Sequence, residues 1–330
     1  MKNKIIGIFV CMMLIAIVFP VAGNLNIDAN SKNNSNIFVN SNNPKSSPGD
    51  YFRFIRVGLR IRTYRIHIPP GYDEASPTPL VVSLHGFTSN SITNEMMTGL
   101  SKKADFEGFI SVYPNGATDP FFGLFTRIFF GRLGRYWNAA FCCGRAVKRN
   151  IDDLAFIRAL IERIEKDMNI DSNRIFVTGM SNGGMMSHRL GAEFSELIAA
   201  IAPVTGTAGG RLEDGSFYII PEPENPLSVI IFHGMKDPVV PYDGNEYFIS
   251  VNDSVTFWVE QNNCDPTPHI NISDSGNIIT RTYLNGNNGA EVVLYTVVNG
   301  GHEWFGSDYF PCEISATDLM WDFFEAHPKK

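Results

Sequence analysis

The chain has no extreme of charge. Over 330 residues, 27 Lys and Arg face 34 Asp and Glu, a formal net charge of −7. That balance gives no electrostatic reason to expect nucleic acid or an anionic membrane surface as a partner. No internal repeat is present, so the length is left for one large core in an ordinary globular composition. Cysteine is scarce, with five residues, and none is spaced for zinc: Cys142 and Cys143 are adjacent, and no histidine sits at a useful offset. No metal site is expected.

Long apolar runs are also missing, with one exception. Lys2 and Lys4 precede the run Ile5–Phe19, and Pro20-Val21-Ala22-Gly23 follows with a breaker and small residues. This is the layout of a secretory signal over residues 1–23, with cleavage expected after Ala22 or Gly23. An uncleaved anchor is the alternative, because the run is near the short limit for a membrane span. Either way the folded part is expected outside the cytoplasm, as an extracellular protein with no membrane attachment once the signal is removed. Residues 24–50 are rich in Asn and Ser with little apolar periodicity, and read as a disordered spacer.

Without Cys11, four cysteines remain: Cys142, Cys143, Cys264 and Cys312. An oxidising compartment allows them two bridges in three connectivities. A bridge between the neighbours Cys142 and Cys143 is strained. Bonds from one or both of them to Cys264 or Cys312 are therefore expected, with the pairing left open.

From residue 51 to 330 the pattern is that of one α/β domain with a mostly parallel, doubly wound sheet. Arg60–Ile68 alternates like a half-exposed antiparallel strand. Pro79–Leu84, Phe109–Pro114, Arg174–Val177 and Leu227–Phe232 are continuous apolar runs, as expected of strands covered on both faces. Helices are expected after Asn150 as cap, after Ser181, over Phe248–Val259 and over Ala316–Ala326; Ile278–Val298 reads as two strands.

The centre of this pattern is Val177–Met186, with Ser181 in Gly179-Met180-Ser181-Asn182-Gly183 between a strand and a helix. Gly-x-Ser-x-Gly in that context marks a sharp turn that lifts a serine hydroxyl above a sheet beside free helix N–H groups. Three further segments follow apolar strands. His85-Gly86-Phe87 is placed to offer the Phe87 N–H, with that of Asn182, as an oxyanion hole. His233–Pro241 carries Asp237, with Asp243 as the nearest rival, and Asn299–Trp304 carries His302 in a Gly-flanked loop. Ser181, Asp237 and His302 occur in the chain order of α/β-hydrolase triads. His85 itself is expected only to pack. Asp152 and Asp153 are expected in the first turn of a helix, where negative charge is favourable, and not as a carboxylate pair.

From Arg53 to His327 the chain resembles the secreted polyhydroxybutyrate depolymerase and feruloyl esterase family of α/β-hydrolases. The resemblance rests on Leu84-His85-Gly86, on Trp137 with Cys142-Cys143-Gly144, on Ile151–Ile157, and on Thr178–Met186. It continues through His233–Asp237 with Pro241–Gly244, and Gly300–Trp304. It implies Ser181, Asp237 and His302 as a triad acting through an acyl-enzyme, with Phe87 and Asn182 as oxyanion donors and no cofactor. The substrates it implies are hydroxyalkanoate esters, hydroxycinnamate esters of cell-wall sugars, or acetylated xylan, some of them polymeric. A peptidase or peptide acyl transferase with the same triad, and an inactive polymer-binding module, are the alternatives. Phe305 stands where many relatives have proline. Residues 118–136 form a longer insertion rich in phenylalanine, including Phe125, that is either packed on the domain or a lid or acyl-side wall. Trp137, Trp304 and Phe125 are candidate pocket residues, with core packing the alternative for the two tryptophans.

Overall fold

The computed structural model describes residues 46–118 and 134–330. The expected signal, the spacer up to residue 45, and the core of the phenylalanine-rich insertion with Phe125 lie outside the described residues. The body Pro48–Lys330 forms one compact unit. Its strands are β1 (Gly49–Val57), β2 (Arg60–Ile68), β3 (Thr78–Leu84), β4 (Ile110–Pro114), β5 (Ala117–Thr118), β6 (Arg135–Tyr136), β7 (Ile170–Met180), β8 (Ala200–Val204), β9 (Gly209–Arg211), β10 (Phe217–Ile219), β11 (Ser228–Gly234), β12 (His269–Ile272), β13 (Ile278–Tyr283) and β14 (Val292–Val297).

Ten of these make one sheet in the order β1-β2-β4-β3-β7-β8-β11-β14-β13-β12. The six central strands, β4 to β14 in that order, pair in parallel. Antiparallel strands close both edges: β1 and β2 on one side, β13 and β12 on the other. The burial patterns follow the sequence. β3, β4, β8 and β11 are buried at every position, as strands between two helical layers must be. β1 alternates between half-buried and exposed, as an edge strand with one solvated face does. The apolar runs thus become the central strands, and helices Asp153–Asp167 and Ala316–Ala326 cover them with Phe156, Ile157, Leu160, Ile161, Met320 and Phe324.

Several boundaries differ from expectation. Strand β1 starts at Gly49, before the expected onset at Tyr51. The cap of the helix Asp153–Asp167 is Asp152, whose Oδ1 accepts from the Ala155 N–H at 2.8 Å. Asn150 instead sits at φ 43° before it. The expected helix over Phe248–Val259 starts later, at Val251, because Ser250 and Asp253 close a capping box there. Strand β12 was not legible: its four residues are all exposed, so no buried alternation marks it. Among the described residues no helix is long and apolar enough to cross a membrane.

Candidate active site

At the C-terminal end of β7 the chain reverses into the helix Asn182–Glu193 through Ser181, which sits at φ 57°, ψ −120°. Few non-glycine residues adopt such a conformation; it costs of order 1–3 kcal/mol and persists only where the surroundings impose it. Here they do. The Ser181 N–H donates to Val204 O at 2.8 Å, across the end of β8. The glycines on either side are required by space. A Cβ on Gly179 would lie 2.6 Å from the Gly183 carbonyl, and one on Gly183 would run into the main chain of Leu84 and His85. The strand, helix and β3 therefore meet only because two side chains are missing.

The segment after β3 lies against this turn. A Cβ on Gly86 would be 3.7 Å from Ser181 Cβ, so the candidate oxyanion loop and candidate nucleophile are in contact range. His85 fixes that segment from beneath. Fully buried, it donates from Nδ1 to Gly86 O at 2.8 Å and accepts at Nε2 from the Gly116 N–H at 2.9 Å. Burial pushes its imidazole down to about 3, so it stays neutral and keeps one donor and one acceptor. His85 packs in the interior, as expected. Asn182 is the first helical residue, where an amide has no intrahelical acceptor.

The other two candidates come from β11 and β14, which run in parallel with Gly234 beside Val297. The loops beyond them interlock. Lys236 N–H donates to Gly300 O at 3.0 Å, and a Cβ on Gly234 would meet the carbonyls of Gly300 and Gly301. This contact brings Asp237 and His302 together, with His302 Nδ1 donating to Asp237 Oδ2 at 2.7 Å. Asp237 Oδ1 accepts from the N–H groups of Val239 and Val240 at 2.8 and 2.9 Å. Burial alone would raise this carboxyl, but His302, His233 and their hydrogen bonds hold it well below the usual carboxylate range. The rival Asp243 is exposed. Ser181, Asp237 and His302 thus stand beyond the C-terminal ends of β7, β11 and β14, the edge where ligands collect in open parallel sheets.

Some contributors went unread in the sequence. His233, buried at the end of β11, donates from Nε2 to Val240 O at 2.8 Å and lies 3.4 Å from Asp237 Oδ2. It props the loop that carries the carboxylate. Asp153 is not merely a helix-terminus charge. It is buried, pairs with Arg62 Nη2 at 2.6 Å, and accepts the Asn138 N–H at 2.8 Å.

The cysteine expectation is corrected. Cys142 and Cys143 are joined to each other, and Cys264 and Cys312 are free thiols. The loop around the pair brings the neighbours face to face, while Cys264 packs elsewhere, against Ala290 O beyond the helix Val251–Gln261. Trp137 and Trp304 are both fully buried. The Trp137 indole N–H donates to His85 O at 2.9 Å and that of Trp304 to Thr317 Oγ1 at 2.9 Å. Trp137 therefore stands behind the candidate oxyanion loop, and Trp304 is tied to the closing helix.

No protein-family model matches the chain. Feruloyl esterase B of Piromyces equi is 27% identical over 246 residues, which cover 72% of this chain and 42% of that protein. Feruloyl esterase C of Emericella nidulans is 28% identical over 271 residues, 80% of this chain and 84% of that protein. Among solved structures, an acetyl xylan esterase from Aspergillus awamori superposes with a TM-score of 0.57 at 15% identity, covering 83% of this chain and 99% of that one. The chain thus spans under half the length of the Piromyces relative but most of the other two. The fold is that of an α/β-hydrolase, and the similarity to feruloyl esterases supports a carboxylic ester hydrolase.

Proposed function

We propose that this feruloyl-esterase-like hydrolase is a secreted serine esterase that cleaves acyl groups, feruloyl or acetyl, from polysaccharide. The observation that carries the mechanism is the 2.7 Å bond from His302 Nδ1 to Asp237 Oδ2 at the sheet edge where Ser181 is held in its strained turn. With Nδ1 committed as a donor, the neutral imidazole leaves Nε2 as an acceptor, the form a general base needs.

In this reading His302 Nε2 takes the Ser181 hydroxyl proton as Oγ attacks the ester carbonyl. The negative charge that develops on the carbonyl oxygen meets the backbone N–H groups of Phe87 and Asn182, each worth on the order of 3 kcal/mol of barrier. His302 then returns the proton to the departing alcohol, leaving an acyl group on Ser181. Water then gives a proton to His302 and attacks the acyl carbonyl, and His302 protonates Ser181 Oγ as the acid leaves. Asp237 stays ionised throughout, which its depressed pKa supports.

Support for this substrate class comes from the relatives, feruloyl esterases in two cases. Polyhydroxybutyrate-type esters, also implied by the family resemblance, are the alternative substrate class. A panel of methyl ferulate, acetylated xylan, 3-hydroxybutyrate oligomers and a plain short-chain ester tests the proposal. Turnover of ferulate or acetyl-xylan esters that Ser181→Ala abolishes supports it. Turnover of 3-hydroxybutyrate oligomers or of the plain ester alone, or of none of these, would overturn it.

A further inference from the structure

Asn182 carries one of the two proposed oxyanion donors on its backbone, and its side chain has a separate set of partners. The residue is 1% exposed. Its carboxamide brackets the main chain of Trp137: the Trp137 N–H donates to Oδ1 at 2.7 Å, and Nδ2 donates to Trp137 O at 3.1 Å. The same Nδ2 lies 3.9 Å from Cys142 Sγ. Trp137 O also accepts from the Cys143 N–H at 3.1 Å, and the Ala139 N–H donates to Cys142 O at 2.6 Å. Residues 137–143 thus form a tight loop, closed by the Cys143 N–H to Trp137 O bond, carrying the Cys142–Cys143 disulfide and seated on one carboxamide. On its other side Asn138 is held by Asp153 and by Arg189. Trp137 also reaches the second oxyanion segment, through its indole bond to His85 O.

We propose that the Asn182 side chain is a positioning residue. It clips the start of the nucleophile helix to Trp137, and Trp137 in turn fixes the His85–Phe87 segment. The two backbone donors are thereby held at one separation, matched to an oxyanion. Both polar atoms of a buried side chain are spent on the main chain of one residue, and that residue's indole is spent on the other half of the hole. A polar group that only needed its hydrogen bonds satisfied would not require this arrangement. Displacing a preorganised donor by about 1 Å costs roughly 10²-fold in rate, and the loss falls on the transition state, where the charge is. The inference rests on the esterase reading of Ser181.

The test compares wild type, Asn182→Ala and Ser181→Ala on a p-nitrophenyl acetate assay. It measures kcat, KM, melting temperature and inhibition by a boronic acid that adds to the serine as a tetrahedral mimic. The expected result for Asn182→Ala is a kcat lower by roughly 10²-fold, with KM little changed and boronate affinity falling in step. An unchanged kcat and boronate affinity, or a loss confined to KM and melting temperature, would overturn the proposal. Should the alanine variant not fold, Asn182→Asp, isosteric and still able to accept from Trp137, takes its place: a fall in kcat and boronate affinity together supports the proposal, and no change in either overturns it. A wild type without ester turnover, or an active Ser181→Ala enzyme, would instead overturn the esterase reading and this inference with it.

Discussion

His302 Nδ1 and Asp237 Oδ2 are 2.7 Å apart, although 65 residues separate them in the chain. Two loops that share main-chain hydrogen bonds hold this pair, so the carboxylate fixes one tautomer of a histidine otherwise free to choose. Replacing Asp237 by Asn would allow the amide to donate and favour the opposite tautomer. The expected loss in kcat is on the order of 10⁴-fold, with the fold intact. Asp243→Asn, at the exposed rival position, should leave kcat unchanged. Steady-state kinetics of both variants on one ester decides the assignment.

Strain at Ser181 should be visible as stability. Its φ of 57° is a conformation that glycine adopts freely. Ser181→Gly should therefore raise the unfolding free energy by about 1–3 kcal/mol while abolishing turnover. Ser181→Ala, which keeps a Cβ, should abolish turnover without the gain. Denaturant titration of the two variants measures the difference. Equal stabilities would show that the turn is relaxed.

Acid should weaken the fold well above the usual carboxylate range. Burial lowers His85 and His188 from 6.5 to about 3. The unfolded chain takes up protons at both positions as pH falls through 6.5, and the native chain does so only near 3. The neutral-histidine contribution is thus fully present above 6.5 and lost progressively toward 3. Asp237, held below its ordinary value, adds a loss of the same sign at lower pH. Each histidine contributes a slope of at most about 1.4 kcal/mol per pH unit. His188→Gln, whose amide can still accept from the Trp258 indole, should flatten the dependence of the urea midpoint on pH. An unaltered slope would contradict this account.

Arg62 and Asp153 form a buried ion pair between β2 and the helix Asp153–Asp167, with the Arg62 guanidinium 4.0 Å from the Phe156 ring centroid. Arg62→Met strands a buried carboxylate and should cost about 3–5 kcal/mol. Adding Asp153→Leu should recover part of that, because no charge is then left unpaired. Chemical denaturation of the single and double variants checks the sign of the coupling.

The central sheet and the triad candidates were legible because each rests on a local signal. Continuous apolar runs mark buried parallel strands, and glycines mark the places where backbones touch, as at Gly179, Gly183 and Gly234. The contributions of Asp153, His233 and the Asn182 carboxamide were not legible. Each depends on a partner distant in sequence or on a side chain's direction, and hydrophobic period carries neither. The cysteine pairing failed for a related reason. The partners of the cysteines are set by the fold and not by spacing: Cys264 packs against Ala290 O, away from the joined pair Cys142 and Cys143. The helices Ser91–Thr98 and Leu100–Glu107 escaped notice because both are short and leave Ile92, Met96 and Phe106 exposed, which breaks the amphipathic pattern.

The most direct test of the account is peptide mapping after reaction with an organophosphonate ester probe. The account predicts a covalent adduct on the peptide containing Ser181, formed in step with the loss of esterase activity and absent from Ser181→Ala. A probe that leaves Ser181 unmodified while activity disappears, or that labels another residue, would contradict it.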